Sequence, residues 1–455
     1  MLFKKVDVKF GNFNTFNPKN TFLYVSLILV YAILLFLLSG IARSEHTSLV
    51  PIWVLSFIAY VGAGFLIPEW RHQNAQWLFL TLILLALLLQ TPIWSEDVFR
   101  FVWDGQLWRH GMNAYQYTPT QFAAIYPDQT WTVDLLPKLN SADYFSVYPP
   151  LKQAFFYLSA QIAGDNIALQ VKCLQVFMAL SVCLLFAIMQ LWAVARPEIS
   201  SKVYWIVFNP LLLIESVVNV HFEVVQAVFV LSGLYLLCKK KKILWAAIAI
   251  AAAVQIKLLP LLLVPLMAMA VEKSQRIKWV LLSGTIIVLS LTPLALMTFN
   301  LNFYSSIDLY FRHFEFNASV YYLFRAIIGN LLGYNPIALL GPVLLLIFSV
   351  LYLYILYFLH KKDANEKEVL TYFTVVPALY YLLATTVHPW YILFILCLSI
   401  FGSFRWVLLW TFLIFFSYLS YSEWGVNEIM PLSLVSYGIL FIFAWRAFKV
   451  SGKSG

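Results

Sequence analysis

FNPLLLIESVVNVHFEVVQAVFVLSGLYLLCKKKK, residues 208–242, sets the reading of the whole chain. Two short apolar runs, 203–219 and 223–238, enclose a polar centre of Asn219, His221 and Glu223, with Glu215 inside the first run. Four consecutive lysines, Lys239 to Lys242, end the second run. Ionisable side chains inside or between membrane spans are costly and mark functional sites by default. A basic cluster at the other end of such a run orients it, because Lys and Arg gather on the cytoplasmic side.

Working outward, the rest of the chain has the same character. Of 455 residues, 62% are hydrophobic and 11% charged, and the mean hydropathy is +0.81. Soluble domains carry about 25% charged residues, so a soluble enzyme is excluded. Runs near the ~20 residues needed to cross a bilayer occupy 21–41, 50–67, 76–93, 166–194, 279–299, 337–359 and 369–387. Shorter runs fall at 243–256 with 258–271, 390–403 with 406–420, and 431–446. Short runs of this kind can still cross beside a water-filled cavity or a thinned bilayer. The fold expected is an all-α polytopic transmembrane helix bundle of about 11–14 spans, one domain over 1–455. The first run is long, follows a polar start and has no clear cleavage site, so it reads as a span rather than a signal peptide.

Orientation follows from the basic connections. Lys4, Lys5, Lys9, Lys19, Arg71, Arg196, Lys202, the four-lysine run, Lys273, Arg276, Lys278, Lys361, Lys362, Lys367, Arg405, Arg446, Lys449 and Lys453 fall on one side if both termini are cytoplasmic. That consistency requires 148–163 to be a re-entrant or surface-lying helix. The formal charge of +9 is then a topology signal, and nucleic acid is not an expected partner. Cys173, Cys183, Cys238 and Cys397 sit in apolar runs without metal-ligand spacing and read as small buried hydrophobes.

Two large connections, 95–165 and 300–336, fall on the outer face; they are aromatic-rich, and amphipathic surface helices are expected in the first. It begins with Glu96 and Asp97. If 96–110 is helical, Asp97, Arg100 and Asp104 share one face. An ionised carboxylate there can act as general base on a hydroxyl or hold a divalent cation, and no ion is assigned. Tyr115 and Tyr148 are further pocket candidates in this loop. At outer span ends stand Glu215, His221, Glu223 and Lys257, the lysine suited to an anionic phosphate. The second loop supplies Arg312, His313, Glu315, Asn317, Tyr321 and Arg325, and a last span end carries His388, Pro389, Trp390 and Tyr391. All converge on one side of the membrane.

SEDVFRFVWDGQLWRHGMNAYQYTP (95–119), YPPLKQAFF (148–156), NPLLLIESVVNVHFE (209–223), QIKLLPLLLVPL (255–266), FNASVYYLFR (316–325) and HPWY (388–391) occur in this order. In them the chain resembles the GT-C superfamily of membrane glycosyltransferases. It is most similar to the polyprenol-phosphate-mannose-dependent mannosyltransferases, of the bacterial type and the GPI mannosyltransferase I catalytic subunit. The resemblance implies Asp97 as catalytic base and Glu96, Asp104 or Glu223 as a second acidic residue. Relatives often carry His-x-Asp where this chain has His221-Phe222-Glu223. It also implies Lys257 and Arg325 as donor-phosphate ligands. The implied reaction is inverting transfer of a hexosyl unit, mannose first, from a polyprenyl-phosphate-linked donor to a hydroxyl of a glycan or glycolipid. Its implied setting is the outer face of a bacterial inner membrane. Glucose, galactose, arabinose or an amino-sugar would use the same residues. A lipid or solute transporter is the alternative of another class, although internal repeats and midplane charges are missing. A non-catalytic assembly partner keeping the fold is a third.

Overall fold

The computed structural model describes residues 18–66, 73–298, 306, 314–422, 425–427 and 429–451. Lys4, Lys5, Lys9, Arg71 and Lys453 of the orientation argument lie outside the described residues, as do Arg312 and His313 of the 300–336 connection.

The chain is an all-α polytopic membrane bundle. Its helices are α1 (Pro18–Ser39), α2 (His46–Leu66), α3 (Gln73–Leu87), α4 (Asp97–Arg109), α5 (Pro119–Ile125), α6 (Thr130–Leu135), α7 (Pro150–Ala163) and α8 (Ile167–Ala195). There follow α9 (Ser200–Val207), α10 (Pro210–Leu213), α11 (Glu223–Cys238), α12 (Ile243–Ile256), α13 (Leu263–Met269) and α14 (Lys273–Thr298). The last are α15 (Val320–Leu332), α16 (Ile337–Lys362), α17 (Glu366–Leu383), α18 (Tyr391–Leu398), α19 (Arg405–Ile414) and α20 (Met430–Ser451). A two-residue hairpin pairs Tyr421–Ser422 with Gly425–Val426.

Among the described residues, four helices are long and apolar enough to cross a membrane: α2 over His46–Phe65, α8, α14 and α16. A fifth such span is Pro197–Val207 with Pro210–Val218, taken as one element bent by 60°. The bend falls where Pro210 removes a donor and Asn209 caps the new helix through the amides of Leu211 and Leu212. Other apolar helices run 10–17 residues, from Val25–Ser39 to Met430–Arg446. The run 258–271 is not one continuous α-helix. A tight turn over Leu259–Leu262 precedes α13, with Pro260 and Pro265 interrupting the backbone bonding. The most apolar windows of α14 and α16 are only 11% and 22% buried, against 56% for α8. Leucine-rich surface left uncovered to that degree places α14 and α16 on the lipid-facing rim.

The helix expected over 96–110 is α4, and the segment 148–163 holds α7, which packs against α4 and α8. α7 starts with Pro150 at its first position and ends at Gly164, whose φ is +62°. Contact between α4 and α7 is close enough to require Gly105. A Cβ there would lie 2.4 Å from the carbonyl oxygen of Phe156. The buried Gln106 amide then joins both helices to α8, donating to Gly164 O at 2.8 Å and to Gln170 Oε1 at 2.7 Å. Gln170 donates in turn to Val102 O and Ser159 Oγ. Buried amides satisfied this way fix the register of three helices.

Candidate active site

The polar centre of 208–242 is built by an irregular backbone. After α10 the chain widens into a π-type turn over Ile214–Val218, a distortion that recurs at functional sites. Val220 then takes φ +63°, costly for a β-branched residue. The surroundings hold it there: His221 N donates to Glu215 O at 3.0 Å. This turn stacks the His221 ring on Trp390, with centroids 3.9 Å apart and planes 9° from parallel. Trp390 stacks in turn on His388 at 4.5 Å. Glu215, fully buried, accepts from His221 Nδ1 at 3.0 Å, from Asn219 Nδ2 at 3.3 Å and from the Tyr418 hydroxyl.

Beside the turn lies a cavity of about 380 Å³. Its lining includes the charged and polar side chains of Asp97, Lys152, His221, Glu223 and Lys257. Tyr148, Tyr381, Trp390 and Tyr391 add aromatic surface. Leu294 of α14 and Leu344, Leu345 and Phe348 of α16 add apolar wall. Leu345 is 41% exposed, so this wall reaches the rim of the bundle.

Asp97 opens α4, where its charge meets the helix's positive end, and its amide donates to Ser95 Oγ at 3.2 Å. Oδ1 accepts from Asn140 Nδ2 at 3.2 Å, and Oδ2 lies 3.9 Å from His221 Nε2. Lys257 follows the last residue of α12. It pairs with Glu223 at 2.9 Å and lies 3.7 Å over the Tyr391 ring. Lys152 was not singled out from the sequence. Its ammonium stands 4.3 Å from the Tyr148 ring centroid, 4.5 Å from Phe101 and 4.9 Å from Phe222. Among the described residues it has neither a carboxylate partner nor a hydrogen-bond acceptor. Burial, reinforced by Lys257 and opposed by Glu223 and Asp97, brings it down to about 8. The available signal was its position two residues after Pro150 in an aromatic stretch, which also fits an ordinary snorkelling lysine.

The remaining sequence candidates divide by position. Trp390 and Tyr391 line the cavity; Glu215 stands behind it, holding His221. Tyr115 donates its hydroxyl to Tyr148 O at 2.5 Å and so supports the cavity wall. Asp97 does not join Arg100 and Asp104, which pair with each other at 2.9 Å. Asp104 is fully buried and also accepts from Ser146 and Gln153. Arg100 donates to Ser141 O and Tyr144 O, closing the 95–165 connection on itself. Glu96 pairs with Arg43, whose guanidinium lies 3.8 Å over Tyr421. Arg325 pairs with Glu315 at 2.8 Å, and neither lines the cavity. His388 sits between Trp390 and Phe316, and burial drives it down to about 3, with Lys257 and His221 adding and Asp97 opposing. Among the described residues, no three His, Cys, Asp or Glu side chains converge on a metal-sized site.

Asp97 thus stands on a cavity lined by two lysines, aromatic rings and leucines. No curated protein and no solved structure matches the chain. Residues 27–273 match the MptA_B family model, described as alpha-(1->6)-mannopyranosyltransferase, N-terminal domain. That match covers just over half of the chain, including Asp97, Lys152, the 214–222 turn and Lys257, and the protein therefore belongs to this family of membrane mannosyltransferases.

Proposed function

We propose that the protein transfers a mannosyl unit from a polyprenyl-phosphate-linked donor to a hydroxyl of a glycan or glycolipid, with inversion, at the extracytoplasmic face. The observation that carries this is the mixed lining of one cavity, which joins Asp97, Lys152 and Lys257 to leucines of the lipid-facing helices α14 and α16. A polyprenyl phosphate is mixed in the same way, an apolar chain joined to an anion. Its tail would lie along Leu294, Leu344 and Leu345, and its phosphate between the two lysines. Among the described residues Lys152 has no carboxylate partner, whereas Lys257 is shared with Glu223.

Asp97 takes the proton of the acceptor hydroxyl while that oxygen attacks C1 of the sugar. The bond from C1 to the phosphate oxygen breaks, and the leaving monoester keeps the electron pair. Lys152 and Lys257 stabilise the charge growing on that phosphate. The rings of Phe101 and Tyr148 stand around the Lys152 ammonium, so the attraction is stronger than at a fully solvated surface. The setting in this reading is a bacterial inner membrane with both termini cytoplasmic. Glucose, galactose or arabinose donors would meet the same residues; family membership favours mannose.

The test is transfer by purified protein from radiolabelled polyprenyl-phosphate mannose, with GDP-mannose and polyprenyl-phosphate glucose in parallel. Label is expected to move from the polyprenyl-phosphate mannose into a product of opposite anomeric configuration. Transfer from GDP-mannose alone would overturn the donor, and retained configuration would overturn the displacement.

A further inference from the structure

Asp97 is not the end of the polar chain. Its Oδ2 lies 3.9 Å from His221 Nε2, and the other ring nitrogen contacts Glu215 at 3.0 Å. Glu215 is 0% exposed and accepts also from Tyr418 and Asn219. A carboxyl oxygen pair already accepting from two such donors meets the ring nitrogen as an acceptor, so the proton of a neutral His221 belongs on Nδ1. Nε2 then presents a lone pair toward Asp97. It is buried and has no hydrogen-bond partner among the described residues, which is costly unless the contact is used. Trp390 fixes the ring plane, and the strained Val220 backbone fixes its origin.

We propose that His221, set by Glu215, receives the acceptor's proton through Asp97, and is a positioning residue for the base. The inference rests on the transfer reading above. The acceptor O–H bond breaks as the C1–O bond forms, and the proton goes to Asp97 Oδ2. The C1–O bond to phosphate breaks, its electron pair staying on the phosphate monoester. The Asp97 proton passes to His221 Nε2, giving an imidazolium facing Glu215, and leaves to water after product release. Asp97 is thereby ionised again. The 3.9 Å gap is of the kind that closes when substrate orders a site.

The proton on His221 answers to every charged group around it. Asp97 faces it from α4, Glu215 and Tyr418 from behind, Glu223, Lys257 and Lys152 across the cavity, and His388 beyond Trp390. His388 stays neutral through the working range, so it supplies no limb there. His221 accepts a proton only when neutral, and its own protonation therefore gives kcat/KM an acidic limb.

The experiment measures kcat and kcat/KM between about pH 5 and 9 for wild type, His221→Asn and Glu215→Gln with polyprenyl-phosphate mannose. Thermal unfolding and donor binding are recorded for each. His221→Asn is expected to lower kcat about 100-fold, with donor KM within about threefold, and to lose the acidic limb. Glu215→Gln keeps the shape of the carboxylate but removes the imidazolium's counter-charge, so the limb moves to lower pH. An unmoved limb in Glu215→Gln, or wild-type kcat in a folded His221→Asn, overturns the proposal. If His221→Asn does not fold, Glu215→Gln decides alone. Wild-type transfer from GDP-mannose instead would overturn the donor reading, and the same variants would then be compared on that donor.

Discussion

At the scale of single residues, the decisive substitution is Asp97→Asn. It keeps the bond to Asn140 available but removes the basicity, and kcat is expected to fall by about 10³-fold or more, while donor binding persists. Near-normal transfer by that variant in single-turnover measurements would remove Asp97 from the mechanism. Lys152→Ala makes a different prediction. Losing one charge-assisted contact of about 1.5–3 kcal/mol weakens donor affinity about tenfold or more and leaves acceptor KM near wild type. The sign of its pH dependence follows from the lowered value of about 8. The protonated ammonium binds the anion, so wild-type donor affinity declines as pH rises through about 8. The Lys152→Ala profile lacks that decline. Asp97, Glu223 and Lys257 were legible because a charge beside an apolar run stands out. Lys152 was not, since only the fold brings the Tyr148, Phe101 and Phe222 rings around it. The partners that occupy Asp104 and Arg325, namely Ser146, Gln153 and Glu315, were equally invisible to spacing.

Elements carry the site through one close crossing. Gly105 lets α4 touch the backbone of α7, and Asp97 and Lys152 stand on those two helices. Gly105→Ala improves helix propensity locally, yet its Cβ has no room before Phe156 O. The overpacking is expected to cost about 1–3 kcal/mol and to lower the unfolding temperature in detergent. It should also cut kcat, because separating α4 from α7 moves the base relative to the cation. An unchanged unfolding temperature would show that the helices part freely. Both helices were readable from the sequence in position and approximate length. Their docking was not, because no local pattern encodes which glycine meets which carbonyl. The same holds for the 214–222 turn. Its polar residues were evident, whereas the π-type widening that joins Glu215 to His221 six residues later breaks the regular helical spacing. In 258–271 apolar length was the misleading signal, and the prolines were the local feature that divided it.

For the whole molecule, the prediction concerns orientation. Asp128 is exposed in the 95–165 connection and Lys240 in the four-lysine run. With Cys173, Cys183, Cys238 and Cys397 replaced, Asp128→Cys is expected to react with an impermeant maleimide on intact cells. Lys240→Cys should react only after permeabilisation. The reverse pattern would invert the topology and move the proposed chemistry to the cytoplasmic face. The bundle itself was legible from composition, since 11% charge leaves little else for a chain of this length. The lipid-facing position of α14 and α16 has a kinetic corollary. A substrate entering along Leu294 and Leu345 is delivered by diffusion in a plane, so its supply is set by mole fraction in the bilayer rather than by molarity. Diluting a suspension of loaded vesicles should leave the rate per enzyme unchanged. Blending inert phospholipid into those vesicles should slow it in proportion, as surface dilution.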